Sequence, residues 1–285
     1  MRQLKQKVST LIEALPYIRK YSDKIVIIKF GGKAMIKPAL IKSVMQDVVL
    51  LKHVGINPIV VHGGGPEINE AMKKANLKPS FVNGLRVTDK ETIEIVEDVF
   101  EEINLMLCNL TKKFGGKPIS ISGRDHKLIM VKQKDTQLGF VGDIKKINTE
   151  ILLSVIDDDY IPVISPIGVD KDNHIYNINA DTAASALAIA LKAEKLTILT
   201  DVEGVLEKGK LIAHLTIRQA KKKIRQNIIS SGMIPKVEAC MDAVKSGCPK
   251  AHLINGTVKH SILIEIFTDK GIGTEIVKNG NGIKR

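Results

Sequence analysis

Apolar residues change their period several times along the chain, and each change marks an element. Leu4, Val8, Leu11, Leu15 and Ile18 recur at helical spacing within residues 2 to 20, an amphipathic arm in which Pro16 is expected to kink or stop the helix. From Lys24 the pattern becomes continuous. Ile25-Val26-Ile27-Ile28 reads as a strand buried on both faces, and it ends at Gly31 and Gly32. A helix follows Pro38. Asn57 to His62 repeats the buried strand, closes on Gly63, Gly64 and Gly65, and gives way to a helix over Glu67 to Ala75. Two strand, glycine turn, helix units in succession predict βαβ crossovers and a largely parallel sheet.

The Asn83-Gly84 pair between short β-prone runs predicts a hairpin over residues 80 to 88. A long helix from Lys90 to Lys112 follows, with Thr88 as its expected cap. Ile93, Val96, Phe100, Ile103, Leu107 and Leu110 form its main stripe, and Ile95, Val99 and Met106 widen the apolar face. That width fits either a fully packed core helix or one that also meets a second subunit. Lys117 to Ser122 reads as a strand and residues 127 to 147 as hairpins. Strands at 161 to 164, 196 to 200 and 251 to 254 then alternate with helices at 181 to 191, 216 to 227 and 236 to 245. The fold class is therefore α/β: an open, mainly parallel sheet sandwiched by helices, with two lobes sharing one continuous sheet.

Composition narrows the function classes. The chain has 285 residues, 44% hydrophobic and 26% charged, which excludes disordered and disulfide-scaffold readings. Apolar runs are too short for a bilayer span, so a soluble intracellular protein without membrane contact is expected. Cys108, Cys240 and Cys248 lack metal-type spacing and read as buried thiols in a reducing compartment. The net charge is +12, but Arg supplies only 7 of the 43 basic residues and Trp none, so nucleic-acid recognition is not expected. The field favours small anions instead.

Several motifs could hold such anions. Lys29-Phe-Gly-Gly-Lys33 offers backbone N–H groups and a cation to a phosphate, or is merely a tight turn. His62-Gly-Gly-Gly-Pro66 places three glycines at a helix N-terminus, which suits a carboxylate or phosphate; His62 itself reads as a packed strand-end histidine. Arg86 can fork onto a carboxylate or stand solvated in its hairpin. Asp181 ends Asn177-Ile-Asn-Ala-Asp181 and could be only a helix-terminal carboxylate. Lys236, in Gly232-Met-Ile-Pro-Lys236, lies where the helix dipole disfavours a cation, so a compensating anion is expected.

Taken in order, Lys29-Phe-Gly-Gly, His62-Gly-Gly-Gly-Pro, Val82-Asn-Gly-Leu-Arg-Val-Thr88, Asn177-Ile-Asn-Ala-Asp181, Thr200-Asp-Val-Glu-Gly204 and Gly232-Met-Ile-Pro-Lys-Val237 resemble the amino acid kinase family, in its arginine-sensitive, acetylglutamate-phosphorylating branch. The resemblance implies an eight-stranded sheet and ATP-dependent phosphorylation of the side-chain carboxylate of N-acetyl-L-glutamate, in arginine biosynthesis. It implies Lys29, Lys236 and Asp181 as catalytic residues. Gly64, Gly65, Arg86 and Asn177 would bind the amino acid, and Gly31, Gly32, Thr200, Asp201 and Gly204 would bind ATP, with Mg²⁺ held mainly by the nucleotide. Residues 1–22 would be an oligomerisation helix and 23–285 the kinase domain, its N-lobe about 23–175 and its C-lobe about 176–285. The arm and the tail imply a dimer or hexamer inhibited by L-arginine through His252, Glu265, Gly271 and Gly273. Compartment is left between cytoplasm and plastid stroma, with a PII-type signalling protein among candidate partners. Glutamate 5-kinase, carbamate kinase, uridylate kinase and a non-catalytic arginine sensor are the alternatives.

Overall fold

The computed structural model describes residues 1–269 and 271–279; residue 270 and residues 280–285, the end of the expected kinase domain, lie outside the described residues. Helix α1 (Arg2–Tyr21) opens the chain and runs through Pro16 instead of stopping there. Proline removes one interior hydrogen bond. The next turn reforms, since Ser22 N–H donates to Ile18 O at 2.8 Å, and Tyr21 anchors the end in the core.

Strand β1 (Ile25–Phe30), α2 (Pro38–His53), β2 (Asn57–His62) and α3 (Gly65–Lys74) follow the expected rhythm, with a 3₁₀ turn at Gly32–Met35. The hairpin is β3 (Phe81–Val82) and β4 (Leu85–Arg86). Helix α4 (Lys90–Lys113) is capped by Asp89, not Thr88: the Asp89 carboxylate accepts from Thr92 N–H at 2.8 Å, whereas Thr88 is buried and donates to Arg86 O. Val99 takes the core reading of the wide apolar face. It packs into the chain's own core with Val96, Phe100 and Ile103, while Leu105 is the exposed apolar residue of this helix.

Strands β5 (Pro118–Ser122), β6 (Ile129–Gln133) and β7 (Gly142–Ile147) precede α5 (Glu150–Asp157), β8 (Ile161–Ser165), β9 (Ile167–Val169) and β10 (Ile175–Asn177). After these come α6 (Ala180–Ala190), β11 (Lys195–Thr200), β12 (Leu206–Glu207), β13 (Lys210–Leu211) and β14 (His214–Thr216). Helices α7 (Ile217–Arg225) and α8 (Met233–Lys245), then β15 (Lys250–Asn255), α9 (Ser261–Ile266) and β16 (Thr274–Val277), complete the described chain.

Eight strands form one sheet in the order β14-β16-β15-β11-β1-β2-β8-β5, parallel except for the β15–β16 pair. A four-stranded sheet, β10-β9-β6-β7, lies beside it. Strand alternation divides the core in two. Ile27 points to the cluster built with α5, α6 and α8, whereas Val26, Ile28 and Phe30 point to the one built with α2, α4 and α9. Strand β1 has β2 on one side and β11 on the other, so chain order reverses there. The carboxyl ends of these strands open onto a crevice, the usual ligand position in such sheets.

Candidate active site

Lys29 is the next-to-last residue of β1 and is buried, so the sheet fixes its direction. Asp181 stands in the first turn of α6, where Asn179 caps the helix by accepting from the N–H groups of Asp181 (3.0 Å) and Thr182 (3.1 Å). Lys236 is the fourth residue of α8. The three meet: Lys29 Nζ lies 3.0 Å from Asp181 Oδ1, and Lys236 Nζ donates to Asp181 Oδ2 at 2.8 Å. Asp181 is thus the anion that the lysine in the first turn of α8 requires.

Burial alone would raise the Asp181 carboxyl, but the two lysines outweigh it and hold the group below the ordinary carboxylate range. Burial lowers the Lys29 ammonium, and Asp181 opposes that shift. One carboxylate against two ammonium groups leaves a net positive centre facing the crevice.

A cavity of about 260 Å³ opens there, lined among others by Lys29, Gly32, Gly64, Gly65, Arg86, Asn177, Asp181 and Lys236. Gly31 adjoins it, and a Cβ at this position would press on Lys29 Nζ (3.2 Å) and Gly63 N (3.3 Å). A Cβ at Gly64 would collide with Phe100 and Ile103 of α4, at 2.9 and 2.8 Å. Arg86 is buried, donates to Asn69 Oδ1 (2.6 Å) and Gly65 O (3.2 Å), and has its guanidinium 4.9 Å from the Phe81 ring centre. Burial lowers its pKa. Asn177 donates to Thr88 Oγ1 at 3.3 Å.

Thr200, Asp201 and Gly204 are not among the residues lining this cavity. Thr200 ends β11 and donates to Asp201 at 3.5 Å, and Gly204 packs against Thr274 and Leu211. Among the described residues, Asp170, Asp172 and His174 are close enough together to hold a metal ion, and none of them lines the cavity.

The amino acid kinase family model matches residues 24–255, most of the chain. The chain belongs to the amino acid kinase family. Acetylglutamate kinase of Desulforamulus reducens is 50% identical over 282 residues, covering 96% of this chain and 98% of the relative. That of Caldanaerobacter subterraneus is 51% identical over 279 residues, covering 95% and 93%. A solved chain from Streptococcus mutans matches with a TM-score of 0.77 at 28% identity, covering 90% of this chain and 99% of that one. N-acetylglutamate synthase from Neisseria gonorrhoeae, complexed with coenzyme A and N-acetyl-glutamate, shares the fold at a TM-score of 0.87 and 23% identity. This chain is covered to 96% and spans 64% of the synthase.

This amino acid kinase carries a second, larger cavity of about 680 Å³ between the end of α1 and the α9–β16 region. His252, Glu265 and Gly271 line it; Gly273 does not, because it packs against the Leu253 carbonyl of β15. Glu265 is already engaged. Lys195 Nζ and His252 Nε2 each lie 2.8 Å from its Oε1, and Ile272 N–H donates to Oε2 at 2.7 Å. Burial works against the Glu265 anion, yet His252 and Lys195 bring its pKa down to about 2. Tyr17, Lys20, Lys195 and Glu275 were not singled out in the sequence. Lys195 carried a usable signal, a charge at the head of an apolar strand run.

Proposed function

We propose that this chain transfers the γ-phosphoryl of ATP to the side-chain carboxylate of N-acetyl-L-glutamate. The observation that carries the reading is the Lys29–Asp181–Lys236 centre beside the Gly64, Gly65, Arg86 and Asn177 wall, in a chain about half identical to acetylglutamate kinases. The acceptor carboxylate is already an anion, so no general base is needed. Its oxygen forms the new bond to the γ-phosphorus while the bond to the β–γ bridging oxygen breaks, giving an acyl phosphate and ADP.

What the protein must supply is alignment and positive charge. Lys29 and Lys236 neutralise charge spread over the transferring group, and Asp181 holds both ammonium groups in register. Gly31 and Gly32 admit phosphate close to the main chain, and Thr200, Asp201 and Gly204 mark the nucleotide end of the crevice. Gly64, Gly65, Arg86 and Asn177 hold the acetylglutamate. Mg²⁺, held mainly by the nucleotide, would supply further positive charge to the transferring phosphates. The test is a coupled ADP-release assay with acetylglutamate, glutamate, carbamate and uridylate as acceptors. Release dependent on acetylglutamate alone supports the reading, and no dependence on it overturns the reading.

The second cavity favours a regulatory reading beside this one: free L-arginine binds between α1 and the tail and lowers activity. Its lining offers Glu13 to a cation and Lys20 to a carboxylate, while Glu275 is already paired with Lys250 and His214. Glu265, engaged by Lys195 and His252, shapes the floor. Millimolar arginine should slow the reaction at subsaturating acetylglutamate; an unchanged rate would remove this reading and leave the kinase intact. Dimers through α4 and larger rings through α1 belong to the same proposal.

A further inference from the structure

The loop Gly63-Gly64-Gly65 must present N–H groups, not carbonyls, if an anion is to lie against it. A trans peptide points its C=O and its N–H in opposite directions, so each carbonyl that is turned away aims the next N–H inward. All three carbonyls are held. Gly64 O accepts from Ile68 N–H at 2.8 Å, Gly65 O accepts from Arg86 at 3.2 Å, and Gly63 O lies 2.9 Å from His62 Nδ1. Gly63 N–H is pinned as well, donating to Phe30 O at 2.8 Å in continuation of the β1–β2 ladder.

The His62 contact is the vulnerable one. Gly63 and Gly64 lack Cβ atoms, so the peptide between them can rotate at little steric cost. Freed from its donor, the Gly63 carbonyl would be able to swing toward the cavity and set its lone pairs against the substrate carboxylate. His62 is fully buried, with its ring edge-on to Phe100 at 5.4 Å between centres. Burial, with Lys29 adding to it, lowers its pKa to about 4, so the ring is neutral and carries one proton. A proton on Nε2, even with the Asn104 side chain facing the ring, would set the Nδ1 lone pair 2.9 Å from a carbonyl oxygen that can only accept. The proton therefore sits on Nδ1.

We propose that His62 is a positioning residue, its Nδ1–H clamping the Gly63 carbonyl so that the Gly64 and Gly65 N–H groups face the acetylglutamate carboxylate. The inference rests on the substrate reading above and assigns a role to a residue that reads in the sequence as a packed histidine.

The test compares His62→Asn with His62→Gln. The asparagine amide nitrogen occupies the place of Nδ1 and can reach Gly63 O, whereas that of glutamine takes the place of Nε2 and cannot. Both lose similar packing against Phe100. His62→Gln should raise the KM for acetylglutamate roughly 5- to 10-fold, the loss of one hydrogen bond, with the KM for ATP unchanged and kcat nearly so. His62→Asn should stay near wild type. Equal KM changes in the two variants, or none in His62→Gln, would overturn the clamp. A readout independent of activity is the ¹⁵N spectrum of the wild-type imidazole. It should show protonated Nδ1 and bare Nε2, and the Nε2–H tautomer would overturn the proposal even if the kinase assay succeeds. A wild type without acetylglutamate-dependent turnover but with the Nδ1–H tautomer would count against the substrate reading and spare the clamp.

Discussion

The two lysines and the arginine at the site differ in when their contacts matter. Lys236 meets Asp181 from a half-open position, and its charge is needed most while the phosphoryl is between partners. Lys236→Ala should therefore lower kcat by 10²-fold or more, on the order of one lost charged donor at the transition state, with a smaller change in KM. Steady-state kinetics decide this, and an effect confined to KM would assign Lys236 to ground-state binding. Arg86 is different. Its Nη2 donates to both Asn69 Oδ1 and Gly65 O and its Nη1 to Met72 Sδ, so the planar group is held rigidly at the cavity wall, and a lysine has no planar guanidinium to reproduce that. Arg86→Lys should raise the KM for acetylglutamate with little change in the KM for ATP. Legibility was uneven at this scale. Lys29 and Asp181 stood out through glycine and helix-start patterns, but nothing local reveals that residues 29, 181 and 236 converge, and only the family resemblance joined them. His62 has no local signature of its role because it acts through a carbonyl.

Elements buried on both faces were the easiest to read. Strands β1 and β2 are continuous apolar runs because neither face meets water, while β16 (Thr274-Glu275-Ile276-Val277) mixes a carboxylate into its pattern and was missed. Pro16 misled because helix α1 tolerates one missing hydrogen bond where the next turn is anchored by Tyr21. The wheel left Val99 open between core and interface because it cannot say which of two apolar faces meets the core. Under the proposed self-association, the exposed apolar residues are the surfaces it would use. Leu105 is 60% exposed on α4, and Val8, Leu11 and Ile12 are at least 60% exposed on α1. Leu105→Glu should weaken the dimer, and Leu11→Glu should reduce larger rings to dimers, both with unchanged far-ultraviolet dichroism. Light-scattering masses check this, and a wild type that is monomeric at micromolar concentration would remove the basis for either.

The whole molecule stores buried titratable groups whose signs can be worked out. His62 and His252 are each pushed down to about 4 by burial, Glu265 is held near 2, and Asp47 is raised to about 6, by burial against the His260 contact. A depressed histidine refuses a proton that the unfolded chain accepts, so its contribution is complete above pH 6.5 and is lost as pH falls toward 4. Asp47 acts oppositely between pH 6 and its unfolded value. Among these groups the two histidines outweigh Asp47, so together they lower stability as pH falls from 6 toward 4. Glu265 adds to the loss below about pH 4.5. Urea midpoints should fall across this range, and His62→Asn should flatten the slope; stability that rises on acidification from pH 6 would contradict the assignment. The sheet order has a consequence in time as well. Strand β1 can bond to β2 once residue 62 has emerged, but its other edge waits for β11, which begins at Lys195. At roughly 5 to 20 residues per second of synthesis, the Ile25-Val26-Ile27-Ile28 edge stays unpaired for roughly seven to thirty seconds. A chain truncated after Lys192 should aggregate or be found on chaperones, and the central strand of the finished enzyme is then the main hazard of its birth.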